Sequence, residues 1–410
     1  MAFDSWLTPT PLSGSGNGTI TNTVQTHTGR VARTTVVTVT PSVGDAKTYT
    51  VNQTASPEFI TVSGTASVGA TDTQYTVNGQ SNTAKINWTV STPGSLSPTA
   101  PSSYTANGAS ATNNVNIPGD PGADSQFNFS GVVTFTANPT VSTRTGTITL
   151  TAGSGGSGLV KTITITQAAG DATISLSPTS GTFTAAGSKN TVTVRSNTSW
   201  SSSNSGNIWL TSNIPSATGD QSISITAAAH TGRAQRTGSI VFTTTNGGSK
   251  TATYSATQSG AAEFVRWAQS TYSATKSGGT VTMTGTSNSS KITFSLKSGG
   301  SIIATIPTTY TANSNTTNNG AAISGDPGST TQFSFSIGIV IPANITVDTK
   351  SCVIVATPNS GTAVEATINQ AAGDVTLDVS PTVITLPESG TASGDDGKVN
   401  VTANTSWTVS

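Results

Sequence analysis

Lys161-Thr162-Ile163-Thr164-Ile165-Thr166 alternates hydroxyl and apolar side chains without a break, and Gln167 follows it. A period of two sends Ile163 and Ile165 to one side of an extended strand and the threonines to the other, so the segment reads as a strand with one buried and one wet face. Thr34-Thr35-Val36-Val37-Thr38-Val39 is a β-branched run of the same kind. Clusters of Gly, Pro, Asn and Asp punctuate such runs at Pro41 to Asp45, Gly153 to Gly158 and Asn246-Gly247-Gly248, where turns are expected. No stretch keeps a helical period for more than a turn or two. Short strands at regular turn spacing predict β-sandwiches.

Internal similarity organises the chain. A unit of about 205 residues occurs twice, and each unit holds two different modules. In the longer module, B, Glu58-Phe59 matches Glu263-Phe264, Lys85-Ile86-Asn87-Trp88 matches Lys291-Ile292-Thr293-Phe294, and Tyr104-Thr105-Ala106-Asn107 matches Tyr310-Thr311-Ala312-Asn313. Gly119-Asp120-Pro121-Gly122 likewise matches Gly325-Asp326-Pro327-Gly328, followed by Gln126-Phe127-Asn128-Phe129 and Gln332-Phe333-Ser334-Phe335. Each module is expected to close on a strand ending in glutamine, at Gln53, Gln167, Gln258 and Gln370. The next module starts within a few residues, which predicts a stiff array.

The shorter module, A, is whole once. Its opening half, Ser177-Pro178-Thr179 through Asn197-Thr198-Ser199-Trp200, recurs as Ser380-Pro381-Thr382 through Asn404-Thr405-Ser406-Trp407. Its closing half, Trp209-Leu210-Thr211 through His230-Thr231-Gly232-Arg233 and Gln258, recurs as Trp6-Leu7-Thr8 through His27-Thr28-Gly29-Arg30 and Gln53. Eight residues separate Trp200 from Trp209; three follow Trp407 and five precede Trp6, together the same eight. The two half-modules are therefore expected to rebuild one A module when joined head to tail, with the seam in a loop. Two other outcomes are closure of the chain on itself, and docking of each half on a different protein.

Composition narrows the function classes. Charged residues are 8% of the 410, with 17 basic against 17 acidic, so no basic stripe exists for a phosphate backbone and nucleic acid is not an expected partner. The start, MAFDSWLTPT, lacks the n-region, h-region and cleavage site of a signal peptide, and no run of 18 apolar residues occurs, so neither export by a cleavable signal nor membrane insertion is expected. The lone Cys352 lies in the alternating run Cys352-Val353-Ile354-Val355 and reads as a small core residue.

No constellation promises catalysis, a metal or a cofactor. His27 and His230, the two histidines, have no companion ligands in sequence, and His-Thr-Gly-Arg reads as a turn before a strand. Calcium wants about six to eight oxygens. Asp120 with Asn113, Asn114 and Asp124 offers a partial set, but Asp326 with Asn315, Asn318 and Asn319 has no acid matching Asp124, and an Asp-Pro-Gly turn explains both. Trp200, Trp209, Trp407 and Trp6 recur at fixed module positions and are expected in cores, whereas Trp267 aligns with Val62 and is a candidate glycan contact.

The A material, from Asn197-Thr198-Ser199-Trp200 and Trp209-Leu210-Thr211 through His230-Thr231-Gly232-Arg233-Ala234-Gln235-Arg236-Thr237-Gly238-Ser239-Ile240 to Tyr254 and Gln258, resembles the BACON family of immunoglobulin-like modules. Module B looks like a generic immunoglobulin-like domain of the same lineage. Strand pattern, repeats and resemblance together predict an all-β chain of tandem immunoglobulin-like β-sandwiches with a split sandwich contributed by the two termini. Its expected divisions are a closing half at 1–54, B1 at 55–170, A at 171–260, B2 at 261–374 and an opening half at 375–410. Such modules occur in exported glycan-handling proteins of Bacteroidetes and in virion proteins of their phages, crAss-like phages included. The expectation is a non-enzymatic virion protein, made in the host cytoplasm and displayed on the particle surface as a fibre or capsid decoration. Expected partners are other copies of itself, meeting through Trp6, Leu7, Val37, Val39, Val399, Val401 and Trp407, together with capsid or tail proteins and cell-surface glycans. A glycan-binding adhesin is the alternative.

Overall fold

In a computed structural model, which describes residues 3–91, 94–153, 158–390, 394 and 397–410, the chain folds almost wholly as strands. The turn expected around 153–158 lies mostly outside the described residues. Leu159–Gln167, the strand read first from sequence, pairs antiparallel with Arg144–Ala152 and buries Ile163 and Ile165. On its other side it runs parallel to Thr65–Val68. Ile86–Ser91 completes a four-stranded sheet, which faces a five-stranded sheet of Ala109–Thr112, Ser103–Ala106, Phe127–Thr134, Gln74–Ser81 and Ile60–Val62. The B1 core lies between these sheets around Trp88, whose ring meets Phe129 edge-on at 5.9 Å and Tyr104 at 5.8 Å.

Module A uses the same strand plan. One sheet runs Ile174–Ser177, Ser188–Ser196, Gln221–Ala227, Leu210–Ser212; the other runs Ser180–Phe183, Thr251–Gln258, Arg236–Thr244, Ser199–Ser203, Ser216–Thr218. Again an early strand, Ser180–Phe183, lies parallel to the last, Thr251–Gln258. Trp200 and Phe242, 5.5 Å apart, anchor its core with Phe183 and Tyr254. B2 repeats B1, with Thr271–Ala274 parallel to Val364–Gln370 and Cys352 buried in its core. Sequence separates A from B by length and motif; the structure shows one plan with the extra edge strands placed on different sheets.

The closing glutamines end the last strands and plug the module bottoms. Gln258 is fully buried, donates from Nε2 to the carbonyls of Thr184 and Ala228 at 2.9 and 2.8 Å, and accepts from Arg236 Nε at 2.8 Å. Gln167 and Gln370 likewise donate to module-bottom carbonyls, Asp72 at 2.9 Å and Pro342 at 2.7 Å. An amide is suited to this place because it offers donors and an acceptor at once, and burial punishes any left unused.

The two half-modules are separate small sheets. Leu7–Thr10 pairs with Thr21–Val24 and Arg33–Val39 with Lys47–Gln53 at one end; Leu377–Ser380 pairs with Asn400–Ala403 at the other. The registers copy the intact module: Leu7 faces Val24 as Leu210 faces Ala227, and Leu377 faces Ala403 as Ile174 faces Ser196.

Candidate assembly interface

Two kinds of joint connect the modules, and each is built twice. Where A meets B2, the His230-Thr231-Gly232-Arg233 turn seats on the Gly325-Asp326-Pro327-Gly328 turn. Arg233 N–H donates to the Gly328 carbonyl at 2.9 Å, Ala234 N–H to Ser329 at 2.8 Å, and the Arg233 guanidinium pairs with Asp326 and lies 3.5 Å from Glu263. The buried Asn288 ties both modules together, donating to Thr231 and Ala262 carbonyls at 3.0 Å each and accepting from Phe264 N–H at 2.8 Å. His230 Nε2 lies 2.7 Å from the Ala234 carbonyl and shapes the turn. Gly328 is required by close approach, since a Cβ there would collide with the Asn288 carbonyl.

The joint between the N-terminal half and B1 has the same parts. Arg30 N–H donates to Gly122 at 3.0 Å, its guanidinium pairs with Asp120 and reaches the Asn82 carbonyl at 3.2 Å, and Asn82 donates to Thr28 and Pro57 carbonyls at 3.1 and 3.0 Å. Asp120 and Asp326, weighed from sequence as calcium ligands, thus face guanidinium groups. Asn113, weighed with them, instead braces the B1 edge by accepting from Trp88 N–H at 2.8 Å.

From B to A the connector is an asparagine. Asn197 Nδ2 donates to the Pro139 and Asp171 carbonyls at 3.0 and 2.9 Å, and its Oδ1 accepts from Thr173 N–H at 2.9 Å. Asn404 holds the C-terminal half on B2 identically, with Ile345 at 3.2 Å, Asp374 at 2.7 Å and Thr376 N–H at 2.9 Å. Each half-module is therefore docked on its neighbour as an intact A module would be.

Among the described residues, neither half is covered. Trp6, Leu7 and Val37, expected at the contact between copies, are already buried in a small core of the N-terminal half with Tyr49 and Val51 packed against it, because the second hairpin folds over the first strand. Arg33 lies over the Trp6 ring at 4.5 Å, as Arg236 lies over Trp209 at 4.4 Å. Open apolar surface lies instead at Val36 and Val39, and on the C-terminal half at Val399, Trp407, Leu377, Val383 and Leu386. Trp407 is 49% exposed whereas its counterpart Trp200 is 1% exposed. Val401 is half-buried. The structure thus keeps the N-terminal four apart from the C-terminal three.

Trp267 is half-buried: its ring meets Phe335 at 5.4 Å and Phe294 at 5.6 Å, and its indole N–H donates to the Val364 carbonyl at 3.3 Å. It borders a shallow trough of about 520 Å³ over Thr284, Gly285, Thr311 and Ser334. The matching surface of B1, at Asn78, Gly79, Thr105 and Asn128, holds a trough of about 530 Å³. Sequence reasoning missed the joint residues Asn82 and Asn288, although Ser81-Asn82-Thr83 and Ser287-Asn288-Ser289 stand at matching places in the B copies.

The BACON family, described as "Putative binding domain, N-terminal", matches residues 109–168 and 198–259. The first match extends the likeness to the closing half of B1, beyond the A material on which the resemblance was drawn. No curated protein matches the chain. Among solved structures it is similar to a Bacteroides ovatus GH5 xyloglucanase (22% identity, 22% of this chain and 19% of that one, TM-score 0.21). It is also similar to protocadherin gammaB7 EC3-6 (12% identity, 84% and 83% covered, TM-score 0.30) and to human CDH23 EC21-23 (10% identity, 75% and 97% covered, TM-score 0.28). The chain spans about a fifth of the xyloglucanase it matches. The family model thus matches two stretches, in B1 and in module A, of a chain built as a tandem array of β-sandwiches.

Proposed function

We propose that this protein is a structural component of a virion surface, extended head to tail into a fibre or surface array when the C-terminal half-module of one copy completes the N-terminal half-module of the next. The observation that carries the reading is the docking of both halves through the same joints that hold intact modules, with their strand edges left open. Unpaired edges and bare apolar faces favour strand addition, and a half-module is about the size of a hairpin or two, below what is stable alone in water. The contact is heterologous, so it produces a ring if the rotation closes and a filament if it does not. Residues carry no catalytic task in this reading. The virion setting follows the BACON resemblance, and capsid or tail proteins are the further partners it implies. The paired troughs on B1 and B2 support the second reading, a glycan-binding decoration protein.

The test is light scattering over a concentration series with electron microscopy, on the 410-residue chain and on a variant lacking residues 375–410. Filaments or rings that vanish on truncation are expected. A monomer at all concentrations, unaffected by truncation, overturns the assembly reading and favours docking on other proteins.

A further inference from the structure

In the intact module A, the Trp200 indole N–H donates to the Gly219 carbonyl at 3.0 Å, its ring meets Phe242 at 5.5 Å, and its backbone pairs with Ala217. Gly219 sits in a left-handed turn, φ +72°, which glycine adopts without strain. The N-terminal half carries the same turn. Leu7 faces Val24 as Leu210 faces Ala227, so residues 7–24 run in step with 210–227 and Gly16 stands at the position of Gly219. Its φ is +68°, so the acceptor turn is already set. A Cβ on Gly219 would have the Ser196 carbonyl at 3.9 Å, whereas one on Gly16 would have nothing within 4 Å. Val39, in step with Phe242, is exposed. This half supplies no indole for the turn, since Trp6 occupies the position of Trp209 and packs under Arg33. The C-terminal half holds the missing part. Leu377 faces Ala403 as Ile174 faces Ser196, which puts the exposed Trp407 at the position of Trp200. Residues 13–15 and 406–410 lie in no strand, although their counterparts in module A, Ser216–Thr218 and Ser199–Ser203, pair with each other.

We infer that the N-terminal half carries a binding site for one side chain, the indole of Trp407 from a second copy, with the Gly16 carbonyl accepting its N–H and Val39 against its ring. This rests on the head-to-tail reading above and names the anchor of that contact. Tryptophan suits the task because it is large, apolar and stiff, with a single donor that must be matched when buried. Truncating such an anchor removes more binding than truncating the contacts around it. Trp407 and Gly16 of one chain serve different contacts, one with the copy ahead and one with the copy behind. A defect at either residue therefore leaves the other end of the same chain competent.

The experiment measures, by light scattering, the concentration at half-assembly for the full chain, Trp407→Phe, Trp407→Ala and Gly16→Val. Trp407 is exposed in the free chain, so its replacement leaves the fold intact. Phenylalanine keeps a ring and loses the donor, and is expected to weaken assembly about fivefold; alanine is expected to weaken it about thirtyfold or more. Gly16→Val puts a β-branched residue at a positive φ, which deforms the acceptor turn and should weaken assembly as strongly as alanine does at Trp407. An equimolar mixture of Trp407→Ala and Gly16→Val is the decisive sample. Each brings the part that the other lacks, so discrete dimers are expected in place of filaments, whether or not the valine also disturbs its own half-module. An assembling wild type with any of the three variants at the wild-type concentration, or a mixture that yields no dimer, overturns the binding site alone. A wild type that never assembles overturns the head-to-tail reading, and the site with it.

Discussion

Arg233 and Asp326 stand 93 residues apart in the chain and form an ion pair across the boundary between modules A and B2, as Arg30 and Asp120 do between the N-terminal half and B1. A turn between two strands of one sandwich and a turn inside the next are thereby one structural object, used twice.

Replacing Arg233 by alanine should loosen that joint without unfolding either module. Asp326 is about half exposed, so solvent screens the pair. About 1 kcal/mol is therefore expected, or roughly fivefold faster hydrogen exchange. The amide to watch is that of Ala234, which donates to Ser329. Unchanged exchange there would show that the backbone contacts suffice.

The same joint should weaken in acid. Burial pushes the Glu263 carboxyl up, but hydrogen bonds from Ser360 and from the Ser290 N–H and hydroxyl, with the Arg233 charge, outweigh it and hold the group below the usual carboxylate range. A depressed carboxyl contributes stability that is complete above its unfolded pKa of about 4.3 and is lost as pH falls through the folded value. B2 should thus melt progressively earlier below about pH 4, and Glu263→Gln should flatten that slope. Thermal melts of both proteins between neutral and acid pH decide it.

Two equivalent tryptophans should respond oppositely to the same change. Trp200→Ala opens a cavity in a closed core and should cost module A about 3–5 kcal/mol. Trp407→Ala removes a ring that is 49% exposed, and should leave the free chain within about 0.5 kcal/mol of wild type. Assembly should nevertheless suffer. Denaturant titration and light scattering separate the two effects.

Cys352 is 1% exposed, and burial pushes its thiol pKa up, so little thiolate is available at neutral pH. Alkylation should be slow in native protein and should accelerate with the unfolding of B2, which makes the thiol a reporter for that module alone. Rapid labelling under native conditions would place the side chain at the surface.

Periodicity carries information along a strand, so the alternation at Lys161 to Thr166 and the terminal positions of Gln53, Gln167, Gln258 and Gln370 were legible from sequence. Contacts at right angles to the strands leave no local pattern. His-Thr-Gly-Arg and Gly-Asp-Pro-Gly each read correctly as turns, yet nothing in either says that they face one another across some 90 residues. Trp267 was ambiguous for a related reason: an unmatched aromatic is compatible with core or surface, and two of its ring neighbours, Phe294 and Phe335, come from distant strands. The burial of Trp6, Leu7 and Val37 depends on a hairpin folding back, which composition does not encode.

The parallel pairing of an early strand with the last one in each sandwich, Ser180–Phe183 with Thr251–Gln258 in module A, governs how the array bears load. Tension that enters module A through Ile174–Ser177 passes to Ser180–Phe183 and leaves on Thr251–Gln258, pulling these two in opposite senses along their length. The bonds between them are then sheared together, not unzipped one by one. In an assembled filament the corresponding seam is residues 383–386 of one copy against residues 50–53 of the next, so the boundary between subunits would resist stretching in the same manner as the interior of a single chain.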